Sequence, residues 1–300
     1  MGSAQPTLRR TRVPRLIALL LPLLLAGCSA LDIVNALSPR DGYNLTRDLA
    51  YGPLKRQTLD VYVPDIFAPG APVVIFFHGG RWQEGSKDDY RFAAQALASR
   101  GFVTILPNYR LFPQVRFPTF VLDSADAVAW VYREISAYGG NPERIYLMGH
   151  SAGAHIAALL ALDEHYLYQR VPTLQLAGLI GLAGPYDFLP LTDADLQAIF
   201  APPQDWPLSQ PIEFVDGNEA PMLLLYGDED TSVKPHNLKN LARRVRERGG
   251  QVDTIVYPDV DHAEIVGALA RPLRFLAPVL DDSAGFIERL GATPPPVAAP

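Results

Sequence analysis

Apolar and polar positions fall into two rhythms along the chain. "TLDVYV" (58–63) alternates with a period of two, which predicts a half-exposed strand. "PVVIFF" (72–77) and "RIYLMG" (144–149) are short apolar runs, the pattern of buried strands, and "FVTILP" (102–107), "AGLIGLAG" (177–184), "PMLLLYG" (221–227) and "QVDTIVYP" (251–258) read as further strands. Helical spacing separates them. It runs through "YRFAAQALASR" (90–100), which stops at Gly101, and "FVLDSADAVAWVYREISAYGG" (120–140). "AGAHIAALLAL" (152–162) is apolar all round, so this helix is expected to be buried on most sides, whereas "NLKNLARRVRERGG" (237–250) is amphipathic. Segment 263–290 reads as helix broken at Pro272 and Pro278, and "NPE" (141–143) as a turn before a strand. Strands alternating with helices predict an α/β fold, a mostly parallel central sheet with helices on both faces.

Four stretches leave this rhythm. Residues 1–27 begin with Arg9, Arg10, Arg12 and Arg15 and continue as "LIALLLPLLLAG" (16–27). That apolar run is short against the roughly 20 residues a spanning helix needs, so it reads as a signal peptide. "LAGC" (25–28) resembles the lipobox of bacterial lipoproteins. The resemblance implies cleavage before Cys28, lipidation of Cys28 and anchoring to the cell envelope, with Ser29 favouring an outer membrane. Residues 28–50, with the break "SPRDG", are expected to be a linker, and 51–290 the folded domain. Within it, 185–220 is rich in proline and acidic residues. It is long for a connection and leaves a strand end, so it is either a lid or pocket wall or a solvated excursion. The tail 291–300 is expected to be disordered.

The 300 residues suit one large domain, and 48% apolar content provides for a sizeable core. Net charge is -6, which argues against a nucleic-acid partner. Cys28 is the single cysteine, so an exported domain would be stabilised by its core rather than by an internal disulfide. No His, Cys or Asp cluster has metal-ligand spacing and no phosphate loop occurs, so neither metal nor cofactor is expected.

The candidate chemistry centres on "GHSAGAH" (149–155). Gly-x-Ser-x-Gly gains meaning between a strand and a helix, and both flanks here agree. A sharp turn would lift Ser151 to the sheet edge, and the close approach of neighbouring elements would require Gly149 and Gly153. The same turn aims the Ala152 N–H at the reacting centre, where the helix terminus adds positive potential. A serine hydroxyl needs a base. Of six histidines, His78, His150 and His155 precede or crowd the turn, His165 follows its helix and His236 starts a later one. His262, in the loop after the last strand, can drop onto Ser151. His155 is expected to be a packed or capping residue. An acid should follow "PMLLLYG", where Asp228, Glu229 and Asp230 stand together and residue type alone does not choose among them.

"FFHGGRW" (76–82), "NYRLFPQ" (108–114), "ISAYGGNPERIYLMGHSAGAH" (135–155) and "TLDVYVP" (58–64) together resemble the α/β-hydrolase carboxylesterases related to hormone-sensitive lipase, in their "HGGxW" branch. They are similar to isoprenylcysteine methylesterases, feruloyl-esterase-like enzymes and kynurenine-formamidase-like enzymes. Over residues 50 to 280 the resemblance implies the α/β-hydrolase fold. "GDEDTSV" resembles the superfamily's acid loop, which places the acid on Asp230 with Asp228 as rival. His78 and Gly79 belong to the "HGG" motif, and the backbone N–H groups of Gly80 and Arg81 would join Ala152 in an oxyanion hole, Arg81 standing where a third glycine is usual. The implied function is hydrolysis of small to medium carboxylic esters. The alternatives are an amide-type hydrolase on the same triad and a lipoprotein that retains the fold as a binding module.

Overall fold

In the computed structural model the described residues are 30–292; residues 1–29, with the expected signal peptide and Cys28, and residues 293–300 of the expected disordered tail lie outside them. In chain order the elements are α1 (Ala30–Leu37), β1 (Tyr43–Ala50), β2 (Thr58–Pro64), β3 (Ala71–Phe77), α2 (Arg91–Ala98), β4 (Val103–Pro107), α3 (Thr119–Glu134), β5 (Gly140–His150), α4 (Ala152–Leu162), α5 (His165–Tyr168), β6 (Gly178–Leu182), α6 (Ala194–Ile199), β7 (Met222–Gly227), α7 (His236–Glu247), β8 (Val252–Tyr257), α8 (Glu264–Gly267) and α9 (Val279–Ala292). Eight strands form one sheet in the order β1-β2-β4-β3-β5-β6-β7-β8. Strands β4 to β8 and β3 run parallel, while β2 pairs antiparallel with both β1 and β4.

Alternation along the central strands feeds two cores. Val73, Ile75 and Phe77 pack under Phe120, Val128, Ile156, Leu160 and Leu241, from α3, α4 and α7. Val74 and Phe76 point the other way, to Phe92, Leu97, Ile265 and Phe286, from α2, α8 and α9. Helix α4 is buried on nearly every side because it packs directly on β5 and β6.

The expected linker at 28–50 is corrected. Residues 30–37 form a helix, and 43–50 form the edge strand of the sheet, so the domain begins before residue 51. Its alternation is hidden by a bulge between Thr46 and Leu49, with Asp48 at φ 56°. Tyr43 and Leu45 pack on one core and Leu49 on the other, since the extra residue switches the phase of the strand. The predicted "NPE" turn is an irregular start to β5, where the Asn141 side chain accepts the Glu143 N–H at 2.9 Å. Helix α3 ends at Glu134 and passes into a 3₁₀ turn over Ile135–Tyr138, closed by Gly139 at φ +80°. Among the described residues no helix is long and apolar enough to cross a membrane.

Candidate active site

The turn between β5 and α4 puts Ser151 at φ 56° and ψ -121°, a conformation that side-chain-bearing residues rarely adopt. Its N–H donates to the Leu182 carbonyl at 2.9 Å, which ties the turn to the end of β6. The flanking glycines are needed for space. A Cβ on Gly149 would lie 2.4 Å from the Gly153 carbonyl carbon, and one on Gly153 would lie 2.1 Å from the Phe77 carbonyl oxygen.

Loops from β7 and β8 complete the arrangement at the carboxyl end of the sheet, where ligands of open α/β folds bind. His262 Nε2 lies 2.9 Å from Ser151 Oγ, and His262 Nδ1 lies 2.7 Å from Asp230 Oδ2. The other Asp230 oxygen accepts the N–H groups of Ser232 at 2.8 Å and Val233 at 2.9 Å. Burial by itself would raise the Asp230 carboxyl, but its hydrogen bonds from His262, Val233 and Ser232 outweigh it and hold the group below the usual carboxylate range. An ionised Asp230 only accepts, so Nδ1 of His262 carries the proton and Nε2 is left to receive one from Ser151. Asp228 is exposed and accepts the Asp259 N–H at 2.8 Å, bracing the β7 and β8 loops at a distance from this line. His236 is likewise exposed, bonded to the Asp187 carbonyl at 2.9 Å.

The "HGGRW" loop runs beside Ser151 from the end of β3. Gly80 at φ +118°, Arg81 at φ 49° and Trp82 at φ 60° are all left-handed. Arg81 thus adopts the backbone that a third glycine would. Gly80 has no room for a side chain, since a Cβ there would meet the Glu84 carbonyl oxygen at 2.2 Å. Ala152 opens α4, so its N–H belongs to the first-turn donors that lack an intrahelical acceptor. His78 does not face the site. Its Nδ1–H donates to the Gly79 carbonyl at 2.7 Å, and its ring stacks on Tyr109 at 4.3 Å. Burial drives its pKa down to about 3.

Segment 185–220 folds over the glycine loop as a wall. Trp82 is buried between Phe188, at 6.1 Å, and Phe200, at 4.8 Å. Its indole N–H donates to His155 Nδ1 at 3.2 Å, and His155 Nε2–H donates to the Ser209 carbonyl at 2.8 Å. His155 is therefore a fully buried tie between loop, elbow helix and wall, with its pKa pushed down to about 4 by burial. Arg81 reaches outward to Asp193, the N-cap of α6, at 3.4 Å. Of the two readings of this segment, the solvated excursion does not hold, because Leu191, Ile199 and Phe200 are core residues.

Residues 59–245 match the BD-FAE family. The chain belongs to that family. It is 30% identical over 250 residues to the isoprenylcysteine alpha-carbonyl methylesterase of Arabidopsis thaliana, covering 76% of this chain and 58% of that one. Esterase LipQ of Mycobacterium tuberculosis is 30% identical over 275 residues, covering 82% and 64%. Kynurenine formamidase of Danio rerio is 36% identical over 144 residues, covering 48% and 47%. The chain spans roughly half to three-fifths of the length of the first curated relatives it matches. Among solved structures, esterase B from Lactobacillus rhamnosis superposes with a TM-score of 0.78 at 19% identity, covering 93% of this chain and 96% of that one. A truncated carbohydrate esterase from gut microbiota gives 0.73 at 20% identity, covering 85% and 99%. The fold is the α/β-hydrolase fold that the motifs implied.

Reading of the sequence passed over Tyr90, Tyr109, His150 and Ser209 as parts of this BD-FAE site's frame. Each acts from the far side of a motif residue, through a contact with a partner 11 to 112 residues away. The only local signal was a pair of histidines flanking the Ser-x-Gly turn, at 150 and 155.

Proposed function

We propose that this chain is a serine carboxylesterase acting on small to medium esters. The observation that carries the reading is the unbroken line from Ser151 Oγ through His262 to Asp230, at 2.9 and 2.7 Å. Ser151 Oγ attacks the ester carbonyl carbon while His262 Nε2 takes its proton. The carbonyl oxygen becomes an oxyanion held by the N–H groups of Gly80, Arg81 and Ala152. The C–O bond to the alcohol then breaks, and the alcohol leaves with the proton from His262. Water, deprotonated by His262, attacks the acyl-serine and frees the acid and Ser151. Asp230 holds the tautomer and stabilises the imidazolium without taking the proton. The aromatic wall of Phe188 and Phe200 against Trp82 narrows the space beside the glycine loop, which supports short acyl groups. The lipobox-like "LAGC" supports anchoring through Cys28 at the envelope of a bacterial cell.

The 36% identity to a kynurenine formamidase supports a second reading, cleavage of an amide by the same groups. One experiment addresses both. A p-nitrophenyl ester panel of increasing acyl length is run beside matched anilides, with wild type and Ser151→Ala. The expected outcome is faster turnover of the short esters, with a loss of about 10³-fold or more and no fluorophosphonate labelling in Ser151→Ala. Faster cleavage of the anilides would select the amide reading. Wild type that neither turns over nor labels would leave the fold as a binding module.

A further inference from the structure

His150 precedes the nucleophile and takes no part in the triad. It ends β5, and its ring is buried. It does not lie idle in the core. Nε2 sits 2.8 Å from the main-chain carbonyl of His262, and the two imidazole rings are 4.8 Å apart. A carbonyl can only accept, so Nε2 carries the proton and Nδ1 is bare. The Tyr90 hydroxyl faces Nδ1 at 3.4 Å and supplies a proton to it. That hydroxyl in turn accepts the Gly79 N–H at 3.2 Å. Each donor and acceptor is thus used once, in a single direction, from the glycine loop through Tyr90 and His150 to the loop that carries His262.

Gly79 records the same relay from the other end. A Cβ there would lie 3.0 Å from the Tyr90 hydroxyl and 3.1 Å from His150 Nδ1. A side chain at this position would crowd the Tyr90–His150 pair and the His150 carbonyl oxygen, which lies 3.1 Å away.

We propose that His150 is a positioning residue, whose Nε2–H fixes the backbone of the His262 loop and so sets the reach of His262 onto Ser151. The proposal rests on the esterase reading above. Asp230 fixes the rotation of the His262 ring, but a ring is only as well placed as the backbone that carries it. Two loops from β5 and β8 meet at the Ser151–His262 bond, and the His150 bond is the strut between them. Burial, followed by the proximity of His262, lowers the His150 pKa to about 3. A neutral ring can stay beside His262 when that residue becomes an imidazolium, where a second cation would oppose it.

The test compares His150→Leu, His150→Asn, His150→Gln and Tyr90→Phe in the full chain on p-nitrophenyl butyrate, with reactive serine counted by fluorophosphonate titration. The glutamine amide reaches the place of Nε2, and the asparagine amide stops short of it. His150→Leu and His150→Asn are expected to lose about 10- to 100-fold in kcat per titrated serine, the scale of a misplaced catalytic group, with KM within about threefold. His150→Gln should recover to within about fivefold of wild type, and Tyr90→Phe should fall between. A residue that merely packs would lower the titrated fraction and leave kcat per serine alone. If Leu does not fold, Asn against Gln makes the same comparison. Wild-type kcat per serine in both Leu and Asn, or a Gln variant as slow as Asn, overturns the proposal. Failure of the esterase reading looks different, since wild type itself would then neither label nor turn over.

Discussion

At the scale of single residues, three carboxylates in a row after β7 differ only in where their side chains end. Asp230 is buried and meets His262 at 2.7 Å, while Asp228 is exposed and braces Asp259. Asp230→Asn keeps the shape but replaces an ionised acceptor by an amide that no longer enforces the His262 tautomer. Its kcat is expected to fall by about 10⁴-fold with little change in KM, whereas Asp228→Asn should remain within about twofold of wild type. Steady-state kinetics of the two variants side by side checks this, and equal losses would reassign the acid. The motif spelling "GDEDTSV" already favoured Asp230 by resemblance. It could not supply the reason, which is that the 232 and 233 N–H groups take one oxygen and turn the other toward the histidine.

At the scale of elements, strong periodicity was legible and weak periodicity was not. The apolar runs of β3, β5, β6 and β7 are buried on both faces, and each is recognisable without its neighbours. Strand β1 is polar, half exposed and bulged, so its membership of the sheet depends on β2 being there to pair with it. Helix α1 is held by a similar distant partner: the Asn35 side chain donates to the carbonyls of Asp88 at 3.0 Å and Asp89 at 2.8 Å, and accepts the Phe92 N–H at 3.0 Å. Two truncations separate fold from anchoring. A chain beginning at Ala30 lacks Cys28 and should keep its thermal midpoint while partitioning into the aqueous phase of a detergent split; on the proposal that Cys28 is lipidated, the full-length chain made in a bacterial host should enter the detergent phase. A chain beginning at Tyr51 also exposes β2 as an edge, and its midpoint should drop by about 2–4 °C for each 1 kcal/mol or so of pairing and packing lost. An unchanged midpoint for the second chain would make β1 dispensable. A full-length chain in the aqueous phase would remove the case for the anchor.

For the whole molecule, the consequence of building a site on buried imidazoles is sensitivity to acid. His78, His150 and His155 all have pKa values lowered by burial, to about 3, 3 and 4. In the unfolded chain each would titrate near the ordinary value of about 6.5. Between those values the unfolded state binds three protons that the folded state refuses, so stability is full above the unfolded pKa and is lost as pH falls below it. The slope reaches up to about 4 kcal/mol per pH unit between pH 6 and 4. Asp230 adds its own loss lower down, below about pH 4, as its depressed carboxyl is finally protonated. Denaturant midpoints measured from pH 8 to 4 should therefore be flat at first and then fall steeply below pH 6.5. A flat profile down to pH 4.5 would mean that the three rings are not held neutral.

The sequence alone determined the layered α/β architecture, the serine turn and the glycines around it, because each rests on local spacing and on residue types whose backbone or packing demands are short-range. It also pointed to His262, since the order of strands leaves few places from which a histidine can reach the turn. Only the tertiary structure decided that residues 30–50 belong to the fold, that segment 185–220 is a packed wall, and that Tyr90 and His150 link the glycine loop to the histidine loop. Those features are made by pairings between positions far apart in the chain. A hydrogen bond between residues 150 and 262 has no spelling at either end; it exists because parallel strands β5 and β8 deliver their carboxyl ends to the same edge of the sheet.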